Sequence, residues 1–193
     1  MREPLGLILA GGLGTRMGGT LKADVSLGGV TLLARAIERL EPQVAGVVVN
    51  SNAPITPKLP VVADATREHL GPLAGILAGL DWAREHDATH IVSVAVDTPF
   101  FPCDLVPQLL MAGMAHPDGL AVAATADGIH GTFGIWPVNL REPLAAFLAD
   151  GHRKVRTFTE ARNAAIARFP DTTPPSFFNI NTNDDLSTAA QWL

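Results

Sequence analysis

Residues 9–22 combine the side chains and the backbone freedom needed to bind a polyphosphate. An apolar run at 5–9 leads into a loop that holds five glycines together with Arg16 and Lys22. Glycine lets backbone N–H groups approach a ligand closely, and a concave row of N–H groups binds anions. Arg16 and Lys22 add fixed positive charge to this loop. The loop therefore predicts a phosphate-binding site, with a purely structural turn as the alternative.

The loop differs from two common phosphate-binding motifs. No lysine directly follows Gly19, as a Walker motif requires, and Met17 stands where a dinucleotide fingerprint has its third glycine. The second predicted strand also ends in Asn50 rather than in the acidic residue that would hold a ribose. The residues thus indicate a phosphate-binding loop that matches neither motif.

Three further polar side chains follow predicted strands. Asn50, Asp64 and Asp97 each come directly after a short apolar run. In parallel α/β sheets, ligands bind beyond the carboxyl ends of the strands. We therefore expect these side chains to lie near the glycine loop, although strands also end in polar residues simply because loops face water.

Asp97 is the candidate metal ligand. Mg²⁺ is typically held by one or two carboxylates together with phosphate oxygens and water, which suits a carboxylate that faces a phosphate loop. The alternative role for Asp97, in the run Asp97-Thr98-Pro99, is to stabilise a turn or cap a helix. None of the six histidines has the spacing of a metal site.

Strand and helix patterns alternate along the chain. This alternation predicts an α/β three-layer sandwich, with a mostly parallel sheet covered on both faces and an antiparallel strand pair around Asp127-Gly128. Gly75 and Gly79 give one predicted helix a flat face that can lie close to the sheet or to a ligand. No repeat or linker divides the sequence, so we expect one domain over 1–193.

The composition excludes several classes of protein. The chain has 193 residues, 47% of them hydrophobic, and a net charge of −5, which argues against disorder and against nonspecific binding to nucleic acid or membranes. The lone Cys103 excludes an internal disulfide, and we expect it to be a small buried side chain. With no membrane-length apolar run and no signal peptide, a cytoplasmic protein is expected.

A second basic feature is His152-Arg153-Lys154, with Arg156 nearby. These cations stand before a predicted helix, where positive charge opposes the helix dipole. That misfit favours an anionic ligand, while a solvated helix start is the alternative.

The motifs together resemble a known family. The loop Leu9-Ala10-Gly11-Gly12-x-x-x-Arg16-Met17-Gly18-x-x-x-Lys22 resembles the signature of nucleotidyltransferases that activate sugars or cofactors with an NTP. Further segments, in family order and over nearly the whole chain, resemble the molybdenum cofactor guanylyltransferases of the molybdopterin nucleotidyltransferase family. These segments are Val47-Val48-Val49-Asn50, Gly71-Pro72-Leu73-Ala74-Gly75, Asp97-Thr98-Pro99-Phe100, Gly151-His152-Arg153-Lys154-Val155 and Asn179-Ile180-Asn181-Thr182.

The resemblance implies a fold, a reaction and a set of partners. The fold would be Rossmann-like, of the nucleotidyltransferase type. The reaction would transfer GMP from GTP to molybdopterin (Mo-molybdopterin) and release pyrophosphate, with Mg²⁺ as cofactor. Partners would include the two substrates and, transiently, molybdoenzymes or cofactor chaperones, but neither nucleic acid nor a membrane.

The resemblance also implies roles for matching residues. Nucleotide binding would involve Leu9, Ala10, Gly11, Gly12, Lys22, Asn50, Asp64 and Asp97. The catalytic residues would be Arg16, Lys22 and Asp97, with Asp97 holding Mg²⁺. The pterin substrate would meet Arg153, Lys154, Asn179 and Asn181. Sibling cytidylyltransferases read Leu-Ala-Ala-Gly in the loop, so Gly11 favours guanine.

Two other functions are compatible with the same residues. A cytidylyltransferase of molybdopterin or a sugar-phosphate nucleotidyltransferase would use the same loop with another base or acceptor. A non-catalytic nucleotide-binding carrier could instead hand the cofactor to partner enzymes, although the presence of both Lys22 and Asp97 argues against it.

Overall fold

A seven-stranded sheet forms the centre of the molecule. The computed structural model describes residues 3–11, 21–55, 57–64 and 71–193. The strands are β1 (Leu5–Leu9), β2 (Ser26–Leu27), β3 (Val30–Thr31), β4 (Val47–Asn50), β5 (Val61–Val62), β6 (His90–Ala95), β7 (Ala121–Thr125), β8 (Gly128–Pro137) and β9 (Ala165–Arg168). The sheet order is β5-β4-β1-β6-β8-β7-β9, while β2 and β3 form a separate hairpin. Only β8 runs against its neighbours within this sheet, which confirms a mostly parallel sheet with an antiparallel strand.

The helices cover both faces of the sheet. They are α1 (Leu32–Leu40), α2 (Pro72–Glu85), α3 (Leu105–Met114), α4 (Arg141–Ala149), α5 (Val155–Ala161) and α6 (Asn183–Ala190). Side chains along a strand alternate between the faces, so Ile8 joins the core under α1 and α3 while Leu7 joins the core under α2, α4 and α5. The three-layer sandwich predicted from the sequence is confirmed.

The register of the central strands decides where the polar ends meet. Leu9 pairs with Asn50 on one side and with Ala95 on the other, and Asn50 in turn pairs with Val62. The last residues of β1, β4, β5 and β6 therefore stand close to level at one edge. Asn50 is itself the last residue of its strand, rather than the first residue after it.

Helix α2 lies unusually close to β1 and β4 because two of its residues lack a side chain. A Cβ added to Gly79 would lie 2.6 Å from Leu7 Cδ2, and one added to Gly75 would lie 2.3 Å from Asn50 Oδ1. A real Cβ atom essentially never comes this close to another heavy atom. The flat glycine face predicted from the sequence is thus confirmed, and one of its two contacts is with a predicted site residue.

Helix ends follow the expected capping chemistry. The side chain of Thr31 accepts a hydrogen bond from Ala34 N at the start of α1. Thr182 and Asp185 form a reciprocal capping box at the start of α6. Threonine is among the residues favoured at this capping position.

The expectation that Cys103 is buried is wrong. The side chain is exposed in the loop before α3, and Arg39 Nη1 lies 3.3 Å from its Sγ. The neighbouring Phe101 fills the core in its place, with no exposed surface. Within the described ranges, no helix is both long enough and apolar enough to cross a membrane.

Candidate functional site

The ends of β1, β4 and β6 open onto one cavity of about 360 Å³, named here the strand-end cavity. Its walls are Leu9, Gly11, Lys22, Asn50, Asn52, Asp64, Gly71, Pro72, Ala95, Val96, Asp97, Thr132 and Asn179. The structure therefore brings together most of the residues that the sequence assigned to nucleotide binding. Gly12 and Arg16 lie outside the described residues. Ala10 is buried, and its N–H is already donated to Asn50 O at 2.9 Å.

Asn50 and Asp64 form a fixed polar wall of this cavity. Asn50 Nδ2 donates to Asp64 Oδ1 at 2.9 Å and to Val62 O at 3.2 Å. Asn52, which sequence reasoning missed, donates from Nδ2 to Asp64 Oδ2 at 2.8 Å and accepts from Asp64 N at 2.8 Å. Both carboxylate oxygens are thus held by amides. Asn50 Oδ1 accepts no hydrogen bond from the described residues, so it is an acceptor that a ligand can use.

Lys22, Asp97 and Asn181 form the second polar cluster. Lys22 Nζ donates to Asp97 Oδ2 at 2.6 Å and to Asn181 Oδ1 at 2.6 Å. The side chains of Lys22 and Asp97 keep 15% and 20% of their exposure, so both remain accessible from the cavity. An ion pair in this half-buried setting is stronger than one in open water, because the surrounding protein lowers the local dielectric constant.

The segment 179–181 reaches this cluster by docking against the end of β6. Ile180 N donates to Asp97 O at 2.8 Å, and the Ile180 side chain is fully buried. On either side of Ile180, the Asn179 side chain reaches the hydroxyl of Thr98, and the Asn181 side chain reaches Lys22. The buried Ile180 side chain therefore fixes the segment, and the amide side chains before and after it face the site.

A second cavity of about 300 Å³, named here the β8 cavity, adjoins the first and shares Thr132 and Asn179 with it. Its other walls are Ile129, His130, Gly131, Phe133, Val155, Arg156 and Phe177. The His130 ring stacks on Phe177 at 4.2 Å, and its Nε2 is 2.8 Å from Thr125 Oγ1. Burial lowers the pKa of His130, while the charge of Asp127 opposes that change. Burial therefore disfavours the charged imidazolium form, and the stacked rings of His130 and Phe177 form a flat wall of this cavity.

Only part of the basic segment before α5 is available to bind a ligand. Arg153 Nη1 donates to Leu148 O and to His152 O, so its guanidinium caps the C-terminal end of α4. Positive charge is favourable at a helix C-terminus, so the dipole misfit expected for Arg153 is wrong. Arg156 pairs with Glu160 at 2.6 Å. Lys154 is exposed and makes no hydrogen bond or ion pair to the described residues.

The described residues fit a metal that takes most of its ligands from the substrate. Among them, no cluster of three or more His, Cys, Asp or Glu side chains is placed to hold an ion. Asp97 is a partly exposed carboxylate at the floor of a cavity that also holds a lysine. One carboxylate with phosphate oxygens and water is the coordination that Mg²⁺ accepts.

A family model and a similar sequence place this chain in the same group of proteins. The family model of the MobA-like NTP transferase domain matches residues 6–166. A protein of Cereibacter sphaeroides named molybdenum cofactor guanylyltransferase is 45% identical over 194 residues, covering 97% of this chain and 96% of that protein.

Solved structures show that the fold is shared more widely than the substrate. The molybdopterin-guanine dinucleotide biosynthesis protein A of Archaeoglobus fulgidus superposes with a TM-score of 0.74 at 24% identity, covering 97% of each chain. The 2-C-methyl-D-erythritol 4-phosphate cytidylyltransferase of Thermus thermophilus gives a TM-score of 0.68 at 22% identity, covering 99% of this chain and 98% of the other. Because a cytidylyltransferase has the same fold, the fold alone does not select the base.

Proposed function

Because the chain belongs to the MobA-like NTP transferase family, we infer that it transfers GMP from GTP to molybdopterin and releases pyrophosphate. The observation that carries this inference is the strand-end cavity, where Asn50, Asp64, Lys22 and Asp97 face one space. The polar wall of Asn50 and Asp64 would contact the nucleoside, and the cluster that contains Lys22 and Asp97 would contact the phosphates. The whole chain, 1–193, is proposed to act as one nucleotidyltransferase domain, since the strands of one sheet come from residues 5–168.

The nucleoside is proposed to lie against Leu9, Gly11, Asn50 and Asp64. Asn50 Oδ1 is supported as the acceptor for a base or ribose donor, because the amide's Nδ2 is already committed to Asp64 and Val62. Among the described residues, a Cβ added to Gly11 would meet only Asn50 Oδ1, at 3.8 Å, which is an ordinary contact. These residues leave room for alanine at this position. A requirement for glycine would therefore come from the bound base, in keeping with the preference for guanine.

The triphosphate is proposed to lie between the glycine loop and Lys22, with Arg16 and Gly12 contributing from the loop. Asp97 would hold Mg²⁺, which supplies positive charge to the phosphates when it is bound. The nucleophile is a phosphate oxygen that is already anionic, so no strong general base is needed. The protein instead brings two polyanions together and stabilises the leaving pyrophosphate with Lys22, Arg16 and backbone N–H groups.

The pterin substrate is proposed to occupy the β8 cavity. Support comes from the stacked pair of His130 and Phe177, which offers a flat wall to an aromatic ring. Asn179 and Asn181 would add amide contacts between the two cavities. Lys154, which makes no ion pair with the described residues, would bind the pterin phosphate. Arg153 would then act mainly by capping the C-terminal end of α4. Transfer of the product to molybdoenzymes or cofactor chaperones, and a cytoplasmic location where GTP is available, are part of the same proposal.

Pyrophosphate release in the presence of Mg²⁺ and molybdopterin tests the function. We expect release with GTP, much slower release with CTP, UTP or ATP, and none without the acceptor. A preference for CTP would make the chain a cytidylyltransferase. GTP binding without pyrophosphate release would instead support the carrier function.

Gly11→Ala tests the base preference separately. We expect its thermal unfolding to match that of the unmodified chain, while its preference for GTP over CTP falls. An unchanged preference would contradict the role of Gly11 in selecting the base.

A further inference from the structure

Thr98 carries a fully buried hydroxyl between the two cavities. Its Oγ1 is 3.3 Å from Asp97 Oδ1 and is also hydrogen-bonded to the side-chain amide of Asn179. Asn179 is exposed and lines both the strand-end cavity and the β8 cavity. The hydroxyl therefore connects the carboxylate at the floor of the first cavity to an amide shared with the second.

The chemistry of a hydroxyl restricts how this connection can work. A threonine hydroxyl donates one proton and can accept further hydrogen bonds. In the structure two oxygens face it, Asp97 Oδ1 and Asn179 Oδ1, and a single proton serves only one of them. If the Asn179 amide turns its Nδ2 to Thr98, both contacts become complete, because Nδ2 donates to Oγ1 and Oγ1 donates to Oδ1. Buried polar groups favour such complete arrangements.

We propose that Thr98 is a positioning residue that relays a hydrogen bond from Asn179 Nδ2 to Asp97 Oδ1. The relay fixes one oxygen of Asp97, and Lys22 fixes the other at 2.6 Å. With both oxygens held, the carboxylate does not rotate about its Cβ–Cγ bond. The orientation of the divalent-ion ligand thereby depends on an amide that is also proposed to contact the acceptor. This inference rests on the proposed role of Asp97 in holding the ion.

Mn²⁺ affinity tests the relay without requiring turnover. Electron paramagnetic resonance titration of the full chain with Mn²⁺, in the presence of GTP and without molybdopterin, measures the ion bound at the site after the Mn²⁺ bound by GTP alone, titrated without protein, is subtracted. We expect Thr98→Val to weaken Mn²⁺ binding about tenfold, as is usual when a hydrogen bond behind a metal ligand is removed. Thr98→Ser, which keeps the hydroxyl, should restore the affinity. A Thr98→Val chain with unchanged Mn²⁺ affinity would overturn the relay.

A double-mutant cycle separates the relay from a merely structural threonine. Asn179→Ala alone should weaken Mn²⁺ binding, but it should add little in the Thr98→Val background, because the relay is already broken there. Equal effects of Asn179→Ala in both backgrounds would contradict the proposal.

The exposed Asn179 also provides a test that does not depend on whether Thr98→Val folds. If Asn179→Ala leaves Mn²⁺ affinity unchanged, the relay is wrong whatever Thr98→Val does. No Mn²⁺ bound by the unmodified chain with GTP would overturn both the relay and the assignment of the ion to Asp97. Pyrophosphate release by the unmodified chain is measured separately, so a failed transfer reaction does not by itself decide the relay.

Discussion

The strand-end cavity and the β8 cavity are built in different ways. In the first, Asn50 and Asp64 stand at the ends of neighbouring strands, and the Asp64 carboxylate accepts hydrogen bonds from the side-chain amides of Asn50 and Asn52. In the second, the walls come from β8, α5 and the segment around Phe177, and they meet through ring stacking and shared apolar surface. The first cavity is thus a polar site fixed in advance by the sheet. The second depends on how segments distant in the sequence pack against one another.

The difference fits the chemistry that each side is proposed to perform. A triphosphate needs charged groups at fixed positions, because the strength of charge stabilisation depends on preorganisation. A ring system needs a flat apolar wall, for which packing distances are less demanding. Substitutions should therefore have sharp effects in the strand-end cavity and milder, separable effects in the β8 cavity.

Asp97→Asn is expected to cause the largest loss. Asparagine keeps the shape of the side chain but removes the charge that would hold the ion and pair with Lys22. We expect pyrophosphate release to fall about 1,000-fold, the upper range for loss of a single electrostatic contact in an active site. Thermal unfolding should remain cooperative.

Asp81→Asn is the matched control, because the Asp81–Arg141 ion pair, 2.8 Å long, joins α2 to α4 away from both cavities. We expect near-normal turnover from it. Near-normal turnover by Asp97→Asn would remove that residue from the metal site.

Gly75→Ala is expected to have the next largest effect. The new Cβ would lie 2.3 Å from Asn50 Oδ1 and 2.8 Å from Leu9 Cδ2, so the Asn50 amide must move. A displacement of about 1 Å can cost about 100-fold in rate, and we expect kcat/KM for GTP to fall on that order while the KM for molybdopterin changes little.

Gly79→Ala is the control for Gly75→Ala. Its Cβ would clash with Leu7 Cδ2 at 2.6 Å, in the core below the site. Both variants should lose about 1–3 kcal/mol of unfolding free energy through overpacking. Only Gly75→Ala should lower kcat/KM for GTP. Equal kinetic losses would show that α2 transmits the strain without any special role for Asn50.

Lys154→Ala and Arg153→Ala divide the basic segment by role. Lys154 is exposed, so we expect its loss to raise the KM for molybdopterin about tenfold, as for a hydrogen bond to a charged group, without changing the KM for GTP. Arg153 caps α4, so its loss should lower the unfolding free energy by about 1 kcal/mol and affect the acceptor less. Steady-state kinetics and urea unfolding of both variants measure this division. The reverse pattern would place the acceptor phosphate at Arg153.

Much of the strand-end cavity could be predicted from the sequence because its logic is local. Apolar runs ending at Asn50, Asp64 and Asp97 mark strand ends, and the rule that ligands bind beyond such ends places them together. The Thr182–Asp185 capping box is equally local, since it spans three residues. The strand patterns and one topology rule were therefore sufficient to place these three side chains at one edge of the sheet.

The remaining features depend on contacts that no local pattern specifies. Lys22 and Asn181 are 159 positions apart, and their hydrogen bond exists only because Ile180 docks on β6. Arg153 precedes α5 in the sequence, but its side chain folds back onto the end of α4, which reverses the dipole argument. Asn52 could have been found, because a second amide two residues after Asn50 is a reasonable partner for the nearby carboxylate.

Asp185→Asn probes the smallest expected effect, in the capping box that follows the segment 179–181. Hydrogen bonds from Asn181 N, and then from Thr182, hold the pKa of Asp185 below its ordinary value. A carboxylate with a lowered folded pKa stabilises the protein above its unfolded pKa of about 3.9, and this stability is lost as pH falls through the folded pKa. We expect Asp185→Asn to cost about 1 kcal/mol at pH 7, the usual value of a helix cap, and progressively less as the pH falls below about 4. Urea unfolding across that range measures the trend, with Asp184→Asn as the control in the same helix turn. If the difference in unfolding free energy between the unmodified chain and Asp185→Asn stayed constant with pH, the charge of Asp185 would not hold the segment that carries Asn181. Packing of Ile180 would then be what keeps this segment in place.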